Sequence, residues 1–183
     1  MRKRTLVIAL CAASMTLLAS ACGGEDGNNV PSNAYCDPVS DWSSEWIAWE
    51  SRMLDLFNQA RGVGADCGGE YFGPTHALEI DPALRCASRA HSKDMSDRDF
   101  FDHTNPDGEG PADRFARAGY TGGGWGENIV GGYGSADAQF DGWMDSPGHC
   151  SNIMNPGFTV VGIGFFHGPG SYGDLTTAGF GSY

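Results

Sequence analysis

The stretch WMDSPGHCSNIMNP, Trp143 to Pro156, holds a His, a Cys and an Asp within a few positions. His149 follows Pro147-Gly148, and Cys150 stands directly behind it. Imidazole nitrogens suit zinc or copper and also serve as acid–base groups near neutral pH. His103, in FDHTNP, is likewise bounded by Pro and Gly. Both residues read as lining a functional cleft. The alternative is that each imidazole only hydrogen-bonds a carboxylate and ties loops together. His91 reads differently. It lies four residues before Met95 on an apolar stripe and is expected to be a packed, hydrogen-bonded core residue. His76 and His167, in Gly-rich loops, carry no usable pattern. There is no nucleophile elbow, protease zinc helix or phosphate loop, so nothing supports the common enzyme classes that depend on them.

These residues must be positioned by a scaffold. Trp42, Trp46, Trp49, Met53, Phe57 and Ala60 recur at steps of three and four, which predicts an amphipathic helix from Asp41, stopped by Gly62. A Gly-rich connection follows. Asp81-Pro82 is a cap and first-turn pair opening a helix to about Arg98, with Leu84, Ala87, His91 and Met95 as its core stripe. Ser88 falls beside the stripe, and nothing requires its burial. DFFDHTNPDGEG is a long polar loop, and Pro111 to Ala118 is a short helix capped by Gly119. WGENIV is a short strand. Ser135 to Met144 is a helix, and Ser146-Pro147 caps a further short turn. TVVGIGFF and LTTAGFGSY form a hairpin. Helices first and clear strands late predict an α+β domain, with helices covering a small, mostly antiparallel sheet.

The N-terminus reads as an address. Arg2, Lys3 and Arg4 precede an apolar run from Leu6 to Leu18, then Ala19-Ser20-Ala21 and Cys22. This is a secretory signal over 1–21, not a membrane span. The Cys after small residues resembles a lipobox, which makes Cys22 the expected lipid attachment point and 22–40 a polar tether. An ordinary signal peptide leaving Cys22 as an odd thiol is the alternative. Gly23 and Gly24 stand where Asp would often mark inner-membrane retention, so the resemblance implies an anchor at the outer membrane or cell surface. Three of the 11 Lys and Arg, and none of the 23 Asp and Glu, lie in the signal, so the mature chain carries about −15. That excess argues against a nucleic-acid partner, which needs a basic patch. It also leaves the lipid as the only expected tie to a membrane. Cys36, Cys67, Cys86 and Cys150 remain as an even set, read as two disulfides with three possible connectivities. A zinc knot is disfavoured, because no C-x-x-C pair is present.

Four motifs in order, AHSKDM, FFDHTNPDG, GENI and WMDSPGHCSNIMNPGFTVVGIG, resemble the CAP superfamily of cysteine-rich secretory, antigen-five and pathogenesis-related proteins, in its bacterial branch. The resemblance covers roughly Trp49 to the C-terminus, and a CAP (SCP) domain is assigned to 41–183. It implies a three-layer α-β-α sandwich and a cleft lined by two His and two acids that in some members hold a divalent metal. The matching residues are His103, Glu127 and His149, the expected metal set, with zinc as the implied ion. At the second acid's position stands Ser146, with Asp145 beside it, so that member is missing or displaced. A loop-capping role, accepting from the backbone N–H groups of a neighbouring loop, suits Glu127 at a strand start equally well. The resemblance also implies Cys67–Cys150, leaving Cys36–Cys86. Two functions follow: a surface-anchored module binding an unidentified small ligand, lipid or peptide, or a metal-dependent hydrolase of peptides or esters.

Overall fold

Three helices open on the same local bond. In the computed structural model, which describes residues 28–183, Ser43 accepts from the Trp46 backbone N–H at 3.2 Å and starts α1 (Ser44–Val63). Asp81 accepts from Leu84 N at 2.8 Å and starts α2 (Pro82–Asp97). Ser135 accepts from Ala138 N at 3.2 Å and starts α4 (Ala136–Met144). Each supplies an acceptor to a first-turn N–H that has no partner inside the helix. α3 (Pro111–Ala118) ends at Gly119 in the left-handed conformation, as predicted. α1 runs one turn-fraction beyond the predicted stop. Gly62 stays helical, and the chain turns at Gly64, whose φ of 87° only glycine adopts at low cost. The predicted short turn at Ser146-Pro147 is instead a helix, α5 (Pro147–Met154). Pro147 occupies its first position, where a preset φ and a missing N–H cost nothing. Pro-Gly is therefore a helix start here, and His149 and Cys150 sit in the first turn.

The Gly-rich connection contains three two-residue strands too short to leave a pattern: β1 (Ala65–Asp66) and β2 (Tyr71–Phe72) pair with each other, and β3 (Glu79–Ile80) joins the main sheet. That sheet adds β4 (Gly123–Gly131), β5 (Val160–His167) and β6 (Asp174–Ser182) in the order β3-β5-β6-β4. Only the β3–β5 pair is parallel. Val161, Ile163, Ala178 and Phe180 face a core with Met53 and Phe57 of α1, Trp143 of α4 and Ile153 of α5. The other face packs against Leu84 and Ala87 of α2 and Phe115 of α3. The result is the expected α-β-α sandwich.

α2 lies unusually close to the sheet. A Cβ on Gly162 would come within 1.9 Å of the Leu84 carbonyl carbon, and one on Gly164 within 2.1 Å of Arg89 N. The helix answers with small polar residues. Ser88 Oγ donates to Gly162 O at 2.9 Å, and Ser92 Oγ donates to Gly164 O at 2.7 Å. Ser88 is thus fully buried, although the apolar stripe does not demand it.

β5 becomes a sheet edge beyond Val161, where β3 ends. Side chains cover it. Glu50 accepts from Phe165 N at 3.2 Å, and Trp42 Nε1 donates to Phe165 O at 3.1 Å. Trp49 stacks on Phe165 at 4.1 Å. Such covering blocks edge-to-edge pairing.

The signal at 1–21 and Cys22 lie outside the described residues. Part of the expected 22–40 tether is folded. Cys36 and Val39 are buried against α2, and Asn28 accepts from Trp42 N at 3.1 Å, so the packed domain begins before residue 41. Disulfides join Cys36 to Cys86 and Cys67 to Cys150. Among the described residues no helix is long and apolar enough to cross a membrane.

Candidate functional site

Arg114 organises the site. It lies on the buried face of α3 and is 2 % exposed. Its Nη1 donates to the carbonyls of His103, at 2.8 Å, and Glu109, at 3.0 Å, which shapes the polar loop before α3. Its Nη2 donates to Glu127 Oε2 at 2.7 Å. The other oxygen, Oε1, lies 2.8 Å from His103 Nδ1. Glu127 stands on β4, on the sheet face toward α2 and α3, and its side chain is buried while the His103 ring is half exposed.

The charges sort themselves accordingly. Burial pushes the Glu127 carboxyl upward, but the His103 hydrogen bond and the Arg114 charge outweigh it and hold the group below the usual carboxylate range. The Glu127 hydrogen bond raises the His103 pKa. Burial, and then the charge of His103, lowers that of His149. The two imidazoles therefore differ: His103 keeps its proton to higher pH than a free histidine, and His149 loses its proton sooner.

His149 is placed by an amide ladder. Asn128, fully buried on β4 beside Glu127, donates to His149 O at 3.0 Å. Asn152 of α5 donates to Asn128 Oδ1 at 2.9 Å. The Cys67–Cys150 bond anchors the same helix turn to the loop after α1. Among the described residues the His149 ring has no hydrogen-bond partner.

His103 and Glu127 are thus in direct contact, and His149 stands close enough to His103 to feel its charge. Asp145 is exposed at the end of α4. Ser146 caps α5 without a side-chain bond, and neither bonds to His103, Glu127 or His149. The position of the second acid is not filled. Among the described residues no three His, Cys, Asp or Glu side chains form a group that could hold a metal. Of the expected set, His103 and Glu127 are in contact, and each oxygen of Glu127 accepts a hydrogen bond, one from His103 and one from Arg114.

Two contributors escaped the sequence reading. Arg114 shares a helix face with Ala118, four residues on, and a charge on a buried face is the signal that it pairs inside. Asn128 left only the weaker sign of an amide in a strand. His91 is buried as expected, with Nε2 3.0 Å from Asp102 O, and burial lowers its pKa to about 4. His76 Nε2 lies 3.0 Å from Phe158 O, remote in sequence, and His167 Nδ1 lies 2.7 Å from Asp174 Oδ1 across the β5–β6 hairpin.

Residues 54–179 match the cysteine-rich secretory protein family, CAP. The chain is 40% identical over 118 residues to the uncharacterized protein YkwD of Bacillus subtilis, covering 64% of this chain and 42% of that protein. It is 28% identical over 128 residues to the uncharacterized membrane protein YlbC of the same organism, covering 69% and 34%. The chain therefore spans less than half the length of these curated relatives. An extracellular protein of Bacillus anthracis containing a SCP domain superposes with a TM-score of 0.62 at 26% identity, over 74% of this chain and 41% of that one. An outer surface protein of Borrelia burgdorferi shares the fold, with a TM-score of 0.59 at 17% identity, over 78% of this chain and 95% of that one.

Proposed function

The chain belongs to the cysteine-rich secretory protein (CAP) family, and on that premise we propose that it is an exported module that binds a ligand in the His103/His149 cleft without turning it over. The observation that carries this reading is the commitment of Glu127. A carboxylate general base needs an oxygen that is free to face the substrate. Here Arg114 and His103 occupy both oxygens of Glu127, and neither Asp145 nor Ser146 bonds to His149. What faces outward is suited to contact. Phe101, two residues before His103, and Trp125, two before Glu127, are both exposed. They offer apolar surface to a peptide or lipid.

Zinc fits this cleft only as a two-imidazole ion. His103 directs Nδ1 to Glu127, which leaves Nε2 for a metal, and His149 has its ring unengaged. Glu127 then orients His103 and does not ligate. When bound, a zinc ion would polarise a ligand oxygen. Two protein ligands hold it weakly, and it must displace the His103 proton. Because the His103 pKa is raised, affinity rises with pH through and above about 6.5, the ordinary histidine value. Calorimetric zinc titration is expected to show binding about ten-fold or more tighter at pH 7.5 than at pH 6, and abolished in His149→Ala. Equal affinity at both values, or full affinity in the variant, would make the histidines structural. Zinc-loaded protein that hydrolyses peptide or ester substrates, with the activity lost in His103→Ala, would overturn the binding reading in favour of a hydrolase.

Export is supported by the two disulfides, which persist in oxidising compartments. We further propose attachment through lipidated Cys22. Cys22→Ser is expected to move the protein from the membrane fraction to the soluble fraction. Retention in the membrane fraction would exclude the anchor.

A further inference from the structure

Seven large apolar side chains stand exposed among the described residues, and four of them border β4. Trp125 lies on the strand, and Tyr133 follows two residues after its end. Tyr172 lies over the last strand residue, where a Cβ on Gly131 would meet Tyr172 Cβ at 3.2 Å. Phe101 packs on Tyr172, with ring centroids 5.1 Å apart. Trp125, Glu127 and Gly131 share one face of the strand, because side chains alternate along it. From Trp125 to Gly131 the strand rises about 20 Å, at roughly 3.3 Å per residue. His103 stands between the two ends, against Glu127.

The rings are held out by strained backbone. Tyr133 and Asp99 are the two non-glycine residues of the described chain in the left-handed region, at φ of 74° and 53°. That region is unfavourable for a residue with a Cβ. Tyr133 gains little burial there. It stays 62% exposed, with its ring resting on Gly142 of α4, where a Cβ would lie 3.1 Å from it. Asp99 accepts from Ser171 N at 2.7 Å and from Ser171 Oγ at 2.9 Å, which fixes the residue before Tyr172. Strain that buries so little marks a surface built for contact.

The contact must be made through side chains, because the β4 edge is closed to an added strand. Trp143 Nε1 donates to Ile129 O at 3.1 Å, Gln139 Nε2 donates to Gly132 O at 3.0 Å, and Asn152 Nδ2 donates to Glu127 O at 3.4 Å. Charge then selects the ligand. Asp102, Asp141 and Asp145 are exposed and form no ion pair among the described residues. Asp102 is close enough for its charge to reach His103. Asp141 precedes Gly142, the seat of Tyr133, and Asp145 lies one helical turn on. Glu127 and Arg114 cancel each other, and three carboxylates outnumber two imidazoles, so the sum is negative whether or not the histidines are charged. The lysines and arginines that are not buried, Arg52, Lys93, Arg98 and Arg117, are each paired with a carboxylate. No free cation of the described surface repels a basic partner.

We propose that the cleft takes an extended basic peptide. Its apolar side chains rest on Trp125 at one end and on Phe101, Tyr172 and Tyr133 at the other, and its lysine or arginine side chains reach Asp102, Asp141 and Asp145. An extended chain spans the two ends with about six residues. The proposal rests on the reading of the cleft as a binding site and names its ligand class.

The test is calorimetric titration of the protein with three synthetic peptides: an octapeptide alternating leucine and lysine, its four-residue half, and the octapeptide with glutamate for lysine. The octapeptide is expected to bind with a Kd of about 10–100 μM, the half about ten-fold or more weakly, and the acidic peptide with no measurable heat. Tyr133→Gly removes the ring and relieves the left-handed strain, so it should fold at least as stably as the parent and bind about ten-fold more weakly. Trp125→Ala, also at an exposed position, should weaken binding in the same direction. Equal affinity for the octapeptide and its half, equal binding of the acidic peptide, or unchanged affinity in Tyr133→Gly would each overturn the proposal, as would binding of a chitin tetrasaccharide in place of the peptide. Absence of peptide binding by protein that still takes up zinc at its histidines would overturn the proposal and leave the cleft a binding site. Cleavage of the bound octapeptide, read by mass spectrometry, would support the peptide track and overturn instead the reading of a cleft without turnover.

Discussion

Arg61→Met is expected to destabilise the domain by about 3–5 kcal/mol, among the largest effects of any single replacement. Arg61 is fully buried at the end of α1, and its guanidinium meets only carbonyls. Nε donates to His76 O at 2.8 Å, and Nη1 donates to Ile153 O at 2.8 Å and Asn155 O at 2.9 Å. Nη2 donates to Phe158 O at 3.0 Å. One side chain thus ties α1 to the loop before β3, to the end of α5 and to the entry of β5. Burial lowers its pKa to about 10, so it stays charged at neutral pH. The carboxyl end of α5, where helix dipoles leave negative charge, compensates part of the cost. Methionine fills the volume but removes the guanidinium from four carbonyls, of which Asn155 O keeps the Phe158 N–H and Phe158 O keeps His76 Nε2. Arg61→Lys should recover part of the loss, because one ammonium cannot span the fork. Urea unfolding would check this: a change below about 1 kcal/mol for Met would mean that water replaces the guanidinium at no cost.

Glu50→Gln should cost a similar amount, about 3–5 kcal/mol. Glu50 and Arg89 are both buried and paired at 2.6 Å between Oε2 and Nη2, with Nε at 2.9 Å from Oε1. Arg89 also lies 5.2 Å over the Trp42 ring. Removing the negative charge leaves a buried cation, which costs more than the pair contributes. Removing both charges together is a different experiment. Glu50→Leu with Arg89→Met should recover part of the loss, though not all of it, because Glu50 also accepts from Phe165 N at the open edge of β5. A double variant less stable than Glu50→Gln would mean that the charges themselves hold α1 against α2. A Glu50→Gln protein within about 1 kcal/mol of the wild type would show that the pair is not needed.

Both predictions concern residues that the sequence does not flag. Arg61 follows Ala60 on an otherwise ordinary helix, and Glu50 follows Trp49. Their partners are remote: 92 to 97 residues for the carbonyls around α5 that Arg61 meets, 39 for Arg89 and 115 for Phe165. Ser88 belongs with them. Its burial follows from the close approach of α2 to Gly162 and Gly164, and no helical period carries that information.

The sequence by itself determined what depends on neighbours. Ser43, Asp81 and Ser135 cap helices because an acceptor three residues before a free N–H acts within one turn. The β5–β6 hairpin and the two-faced helices follow from periodicities of two and of three to four residues. The motifs around His103, Glu127 and His149 were legible as a candidate cleft for the same reason, since each is a short contiguous string. Tertiary structure alone decided what those residues contact. It gave both oxygens of Glu127 to Arg114 and His103 and left Asp145 and Ser146 unbonded to the cleft. Burial and hydrogen bonding are properties of segments brought together from far apart, and they set both the charge and the free valence of a side chain.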